Sequence, residues 1–248
     1  MENSPPEMWG SKSEKHYEGY VTDQISFSIL CDQGHTSVVL LQVMRFELLF
    51  DQGISALRKG NYDSAVLRHS AAREKFFKFY CRVVWLQDHG DCSLFDEYWK
   101  HLRRSERQVG AFVATNLALR ATSDFPKDLQ KLKKGDTLRN AIAHSGKIPC
   151  LNEAKEYAER TYEFISKYCD QLKVHFPKGI SKETLRVFKE QSANIHDQLG
   201  VSRNSISGTT VSVPTSIGLN HGLSAERKSF EEVLATDIGG KYMYPIKS

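Results

Sequence analysis

The 248-residue chain has little of what marks the common enzyme classes. It contains no glycine-rich phosphate loop, no Gly-x-Ser-x-Gly elbow and no His-Glu-x-x-His, so the usual nucleotide, serine-hydrolase and zinc-protease sites are excluded. Cysteine is sparse, and Cys31, Cys81, Cys92, Cys150 and Cys169 form an odd, scattered set without zinc-finger histidines. They read as reduced thiols that mostly pack, with no metal and no cofactor expected. No stretch approaches the ~20 apolar residues that span a bilayer. Met1 to Glu7 has neither the basic start nor the apolar core of an export signal. The expectation is a soluble cytoplasmic chain without a membrane partner.

What is present suits a single core with appendages, since 40% of the residues are hydrophobic and 26% charged. A net charge of +4 permits a polyanionic partner without demanding one. Ile25, Phe27 and Ile29 alternate with Ser26 and Ser28, the period of a short strand. From about residue 36 the period becomes helical: Val39, Val43, Phe46, Phe50, Gly53 and Leu57 recur at steps of three and four until Lys59-Gly60. Asn61 caps a second helix whose face is Tyr62, Ala65, His69, Ala72, Phe76, Phe79 and Val83, and so short a link implies an antiparallel hairpin. His69 reads as a satisfied core residue.

A third helix is expected from Ser93 to Ala121. Asp124-Phe125-Pro126 then breaks the chain and restarts it as a short helix, after which Asp136 caps a further segment. Asn152 begins the last long helix of the core. The fold class expected is all-α, an up-and-down bundle of about five helices over residues 36–176, after an N-terminal extension over 1–35. A helix from Ser181 to Leu199, within 177–200, suits docking on the bundle or on a second chain. Residues 202–222 read as a flexible linker and Ala225–Leu234 as a short helix, in a C-terminal region spanning 201–248.

The segment capped by Asp136 holds the most informative stretch, Leu138-Arg139-Asn140-Ala141-Ile142-Ala143-His144-Ser145-Gly146. Leu138 and Ile142 supply an apolar face. Asn140 and His144, at i and i+4, share another, while Arg139 and His144 point about 140° apart. His144 lies in the last turn before Gly146, where the helix dipole favours a cation. Arg139 carries a planar fork suited to phosphate. Lys127, Lys131, Lys133, Lys134 and Lys147 surround them, and Lys100, Arg103 and Arg107 form a separate basic stripe, so both sets are candidate RNA contacts. A plainer reading stays open, in which Arg139 pairs with Asp136 or a neighbouring helix and the lysines are a solvated face.

An Arg, a polar residue directly after it and a His four to six residues beyond the Arg, set behind long helices, resemble the HEPN superfamily. Arg139, Asn140 and His144 carry this resemblance over residues 36–176, with Glu74-x-x-x-Lys78 on the second helix also in the family's style. Arg82 and His89 have similar spacing but lack the polar residue, because Val83 follows Arg82. The resemblance implies a homodimer in which the Arg, Asn and His of two chains form one composite site. It also implies metal-independent cleavage of RNA, with products ending in 2′,3′-cyclic phosphate and 5′-hydroxyl, in a toxin or antiviral defence role. Arg139, Asn140 and His144 would be the catalytic residues. Members controlled by a nucleotidyltransferase antitoxin often carry a tyrosine two residues after the His. That position is Gly146 here, so control is expected through another antitoxin, a regulatory protein, a ligand or the tail. The alternative is a non-catalytic HEPN-like module that binds nucleotide, RNA or a partner protein.

Overall fold

The computed structural model describes residues 15–17, 25–30, 36–119, 125–199, 207–211, 215–219, 227–236 and 244–246. Among these the fold is an α-helical bundle with two small accessory sheets. Helix α1 (Arg45–Arg58) starts where the Met44 N–H donates to the Glu47 carboxylate at 2.9 Å. It turns at Gly60, which takes the left-handed φ of +77° that favours glycine, into α2 (Tyr62–Asp88). The expected hairpin is therefore present. Phe46, Phe50 and Ile54 of α1 bury against α2.

Helix α2 is the axis of the core. Its Phe76, Phe77 and Tyr80 meet Phe112 of α4 (Ser105–Ala118) and Phe164 and Tyr168 of α6 (Leu151–His175) at ring-centroid distances of 4.9–6.3 Å. Such edge-on aromatic contacts add to the area buried. Helix α5 (Phe125–Ser145) runs antiparallel to α6, with Phe125 on Tyr168, Lys131 near Glu163 and Gly135 against Tyr157.

Helix α7 (Pro177–Leu199) docks on the far end of α2, one of the two placements its pattern suited. The approach requires glycine at 179, where a Cβ would stand 2.1 Å from the Val83 carbonyl oxygen. Lys182 reaches the carbonyls of Leu86 at 2.9 Å and His89 at 2.6 Å, so a cation of α7 satisfies the C-terminal end of α2.

Several sequence expectations need correction. Residues Thr36–Leu41 form a strand, β3, rather than the start of a helix. Their β-branched run pairs antiparallel with β2 (Ser26–Leu30), which falls where the alternating pattern placed a strand, and parallel with β4 (Ser207–Val211). A further pair joins β1 (Lys15–Tyr17) and β5 (Tyr244–Ile246). The expected third helix divides into α3 (Ser93–Trp99), a 3₁₀ turn over Lys100–Leu102 and α4. Buried Trp99 stacks on Phe95 and fixes α3, while Phe112 must lie over Phe77, so the chain changes direction between them. Conversely α5 is one continuous helix. Pro126 sits in its first turn, where proline is tolerated, and Asp136 caps nothing because its carboxylate takes the Arg73 guanidinium.

The stretch expected to be a flexible linker contains β4 and a strap, Thr215–Leu219, buried on α1 and α6. The Thr215 hydroxyl and the Leu219 N–H donate to Glu47 at 2.7 and 3.0 Å, the Ser216 N–H donates to Asp51 at 3.2 Å, and Lys173 reaches the Gly218 carbonyl at 2.9 Å. Burial pushes the Glu47 carboxyl up, against the Met44 and Leu219 N–H groups, Thr215 and Lys173. Helix α8 (Phe230–Ala235) follows, inserting Phe230 beside Tyr162 and burying Val233, while Arg58 holds the carbonyls at its end. Cys31 lies outside the described residues.

His69 is buried as expected but not satisfied. Its ring packs on Phe50 with centroids 4.7 Å apart, and neither ring nitrogen has a hydrogen-bond partner within the described residues. Burial lowers its pKa to about 3, opposed weakly by the Ala65 carbonyl. The neutral ring is thus the form the fold accepts. The stabilisation it allows is complete above the unfolded pKa near 6.5 and is lost as pH falls toward 3. Replacing His69 by Leu is expected to flatten the pH dependence of the urea midpoint across that window. An unchanged slope would refute the assignment. Gly179→Ala is expected to destabilise by about 1–3 kcal/mol, the usual cost of overpacking, which thermal melts would read as a drop of several degrees. An unaltered melting temperature would show that α7 does not approach α2 this closely.

Candidate functional site

Helix α5 ends by a Schellman closure: Gly146 has φ +66° and the Lys147 N–H returns to the Ala141 carbonyl at 3.2 Å. This fixes the last turn, from which Asn140 and His144 project exposed, while Ile142 is buried in the core. Arg139 is partly buried. Its guanidinium donates to the Asn140 side-chain oxygen at 2.9 Å and lies 3.4 Å from the Glu74 carboxylate of α2. Arg139 and Asn140 are therefore held together. His144 stands free of hydrogen-bond partners among the described residues, on a different side of the helix from Arg139, as the 100° step requires.

Two ion pairs tie α5 to α2 one residue apart: Arg73 with Asp136, and Glu74 with Arg139. Their environments differ. The Arg73 side chain is 4% exposed, whereas Glu74 and Arg139 are 27% and 30% exposed. Burial opposes the Arg73 charge, but Tyr157, Asp136 and Glu74 outweigh it and hold its pKa above the ordinary value. Glu74 and Lys78 do not form the i,i+4 pair that their spacing suggests, since Lys78 turns to Asp96 at 3.4 Å.

The basic residues divide into two groups. Lys131 and Lys147, on and just beyond α5, face Glu163 and Glu153. Lys127 is exposed near the start of α5, and the side chains of Lys133 and Lys134 lie outside the described residues. Lys100 pairs with Glu97, Arg107 donates to the His101 carbonyl, and Arg103 is exposed. The Lys100, Arg103 and Arg107 stripe is not brought to the motif. Arg139 meets α2 at Glu74, whereas α3 meets it at Arg82 and Trp85. Those levels are roughly 12–16 Å apart along the helix.

A charged cluster that the sequence did not reveal occupies that second level. Arg82 is buried and reaches Asp96 of α3 and Glu183 of α7, and Glu183 also takes Arg186. His89, the other member of the second Arg-to-His spacing, stacks instead on Trp85 at 3.8 Å. The signal was present only as a charge inside the apolar run Phe79 to Leu86, since a buried arginine requires a carboxylate from elsewhere in the fold.

Cys81, Cys92 and Cys169 are buried thiols, with burial pushing Cys81 up to about 11, and Cys150 is exposed. Among the described residues no group of three or more His, Cys, Asp or Glu is placed to hold a metal ion, and no helix is long and apolar enough to cross a membrane. Comparison with protein-family models, with curated proteins and with solved structures finds no match.

The two α2–α5 ion pairs are expected to respond differently to truncation. Asp136→Ala strands the buried Arg73 charge and should cost about 2–3 kcal/mol, toward the lower end for a broken buried pair because Asp136 is 41% exposed. Glu74→Ala should cost under about 1 kcal/mol, as for other accessible pairs. Equal denaturation midpoints for the two variants would contradict this division.

Proposed function

We propose that the chain is an endoribonuclease of the HEPN type, acting as a homodimer. The observation that carries the reading is the arrangement at the end of α5, where Glu74 and Asn140 hold the Arg139 guanidinium and His144 is presented exposed on the same turn-and-a-half of helix. One helix end cannot aim both groups at one phosphate. A second copy related by a two-fold axis supplies the complementary pair. Ile148 and Leu151, which follow the motif, are 88% and 48% exposed, an apolar surface that such a contact would cover.

In this reading Arg139 binds the scissile phosphate and stabilises the charge that grows on its oxygens. The 2′-hydroxyl of RNA attacks the adjacent phosphorus, one His144 takes its proton, and the His144 of the second copy protonates the departing 5′-oxygen. The products carry a 2′,3′-cyclic phosphate and a 5′-hydroxyl. Asn140 orients the Arg139 fork. Lys131 and Lys147 sit in accessible ion pairs that exchange for RNA phosphates at small cost. Lys133 and Lys134 are the further candidates for RNA contact that the sequence offers on α5, whereas Lys100, Arg103 and Arg107 would touch only a longer RNA. The family resemblance places such an enzyme in cytoplasmic toxin or antiviral defence systems, held off by an antitoxin or regulatory protein. The alternative is a non-catalytic module that binds RNA, nucleotide or a protein.

The test is incubation of the full chain with total RNA in chelator, followed by analysis of the ends. Wild type should cleave to cyclic phosphate, while Arg139→Ala and His144→Ala should lose about 10²-fold or more with unchanged helical circular dichroism. Ile148→Asp should abolish both dimer sedimentation and cleavage. Equal RNA degradation by wild type and both motif variants, or full activity in a monomer, would refute the reading.

A further inference from the structure

A cavity of about 560 Å³ lies at the second level of α2, bounded by the start of α1, α3 and α7. Its size is that of sites for small organic ligands. The lining is unusual in charge. Arg45, Lys75, Lys78, Arg82 and Arg186 contribute five cations, against three carboxylates from Asp96, Glu183 and Glu190. Cations therefore outnumber carboxylates around one partly open space. Apolar surface adjoins it, from Met44, Phe79 and Val187.

The walls are fixed in advance. Arg82 braces α3 and α7 through Asp96 and Glu183, Arg186 spans Glu183 and Glu190 at 2.7 Å on each, and Gly179 sets α7 in close contact with the α2 backbone. These pairs occupy the carboxylates. Lys75 is exposed and has no ion-pair partner among the described residues, so part of the surplus is left for something else. We propose that this cavity binds a small phosphomonoester, with its dianionic head between Lys75 and Lys78 and its apolar body on Met44, Phe79 and Val187.

Two further features agree with an anion there. Burial pushes the Lys78 ammonium down, and the neighbouring Arg82 and Arg186 charges add to this against Asp96. A dianion would reverse that crowding. Ile25, a β-branched residue, holds a left-handed φ of +54° while lining the same space, the kind of backbone cost that collects at ligand sites. A volume of about 560 Å³ suits a small molecule or the terminal phosphate of a nucleic acid. The structure favours the small molecule, because the apolar wall offers nothing to a following sugar-phosphate. The inference is independent of whether the chain cleaves RNA.

Calorimetry and thermal melts on the full chain provide the test, with phenyl phosphate as probe and inorganic phosphate and phenol as its separate halves. Phenyl phosphate should raise the melting temperature and bind at least tenfold tighter than either half. Lys75→Glu, at an exposed position, should weaken it at least tenfold while the unliganded melting temperature stays put, and Lys78→Gln should do the same to binding. Failure of phenyl phosphate to bind, affinity no better than inorganic phosphate, or equal affinity in Lys75→Glu would overturn the proposal. A 5′-phosphorylated trinucleotide should compete poorly; tighter binding of the trinucleotide would overturn the small-molecule assignment.

Discussion

Everything in this bundle depends on the burial of α2. A helix that lies against α1, α4, α5, α6 and α7 must be apolar around most of its circumference, yet Arg73, Glu74, Lys78 and Arg82 interrupt that surface. Each charge has to find an opposite partner on whichever helix covers it, because an unpaired buried charge costs more than the packing around it returns. Arg73 and Glu74 therefore select α5, and Arg82 selects α3 and α7. Aromatic burial supplies the bulk of the cohesion. The charges decide the order in which the helices are arranged around it.

The same logic places chemistry. A guanidinium such as Arg139 is useful to a phosphate only if it is held, and a carboxylate 3.4 Å away on a rigid neighbouring helix holds it without neutralising its outer edge. At the other end of α2 the carboxylates are consumed by arginines that brace helices, which leaves lysine charge unmatched. One long helix thus carries two differently poised basic regions, one at an exposed helix end and one lining a pocket.

Where local periodicity and capping decide the outcome, the sequence was sufficient. The hairpin at Gly60, the face of α2 from Ala65 to Val83, the helix end at Gly146 and the start of α6 were all legible, because each follows from spacing or from a residue with a special backbone preference. The errors arise where distant residues decide. Val38 and Val39 fit a helical face as well as a strand, and the partners that make them β3 lie before residue 31 and after residue 206. Asp136 resembles a cap, but Arg73 captures it, and Tyr157 fills the space that Gly135 leaves, so the helix continues. Composition at 202–222 suggests a linker, and nothing local reveals that Glu47 and Asp51 require its backbone. Of the candidate site, the divergence of Arg139 and His144 follows from the helical step, whereas the bond from Arg139 to Asn140 does not follow from spacing. The anchor of Arg139 on Glu74 and the cluster around Arg82 depend on tertiary neighbours that no spacing rule can supply.

The strap on α1 bears on how the chain is made. Glu47 and Thr215 are separated by 168 residues, and the Ser216 N–H closes on Asp51 over a similar distance. Synthesis runs from the N-terminus, so α1 and α2 emerge and can associate long before the strap exists. Until then the carboxylates of Glu47 and Asp51 lack the Thr215, Leu219 and Ser216 donors that cover them in the finished fold. The hairpin is consequently unable to seal that side early, and final closure waits until the chain has been made through Leu219. A nascent or C-terminally cut chain would keep an open, hydrated seam along α1, a distinct surface by which cellular quality control could tell unfinished molecules from finished ones.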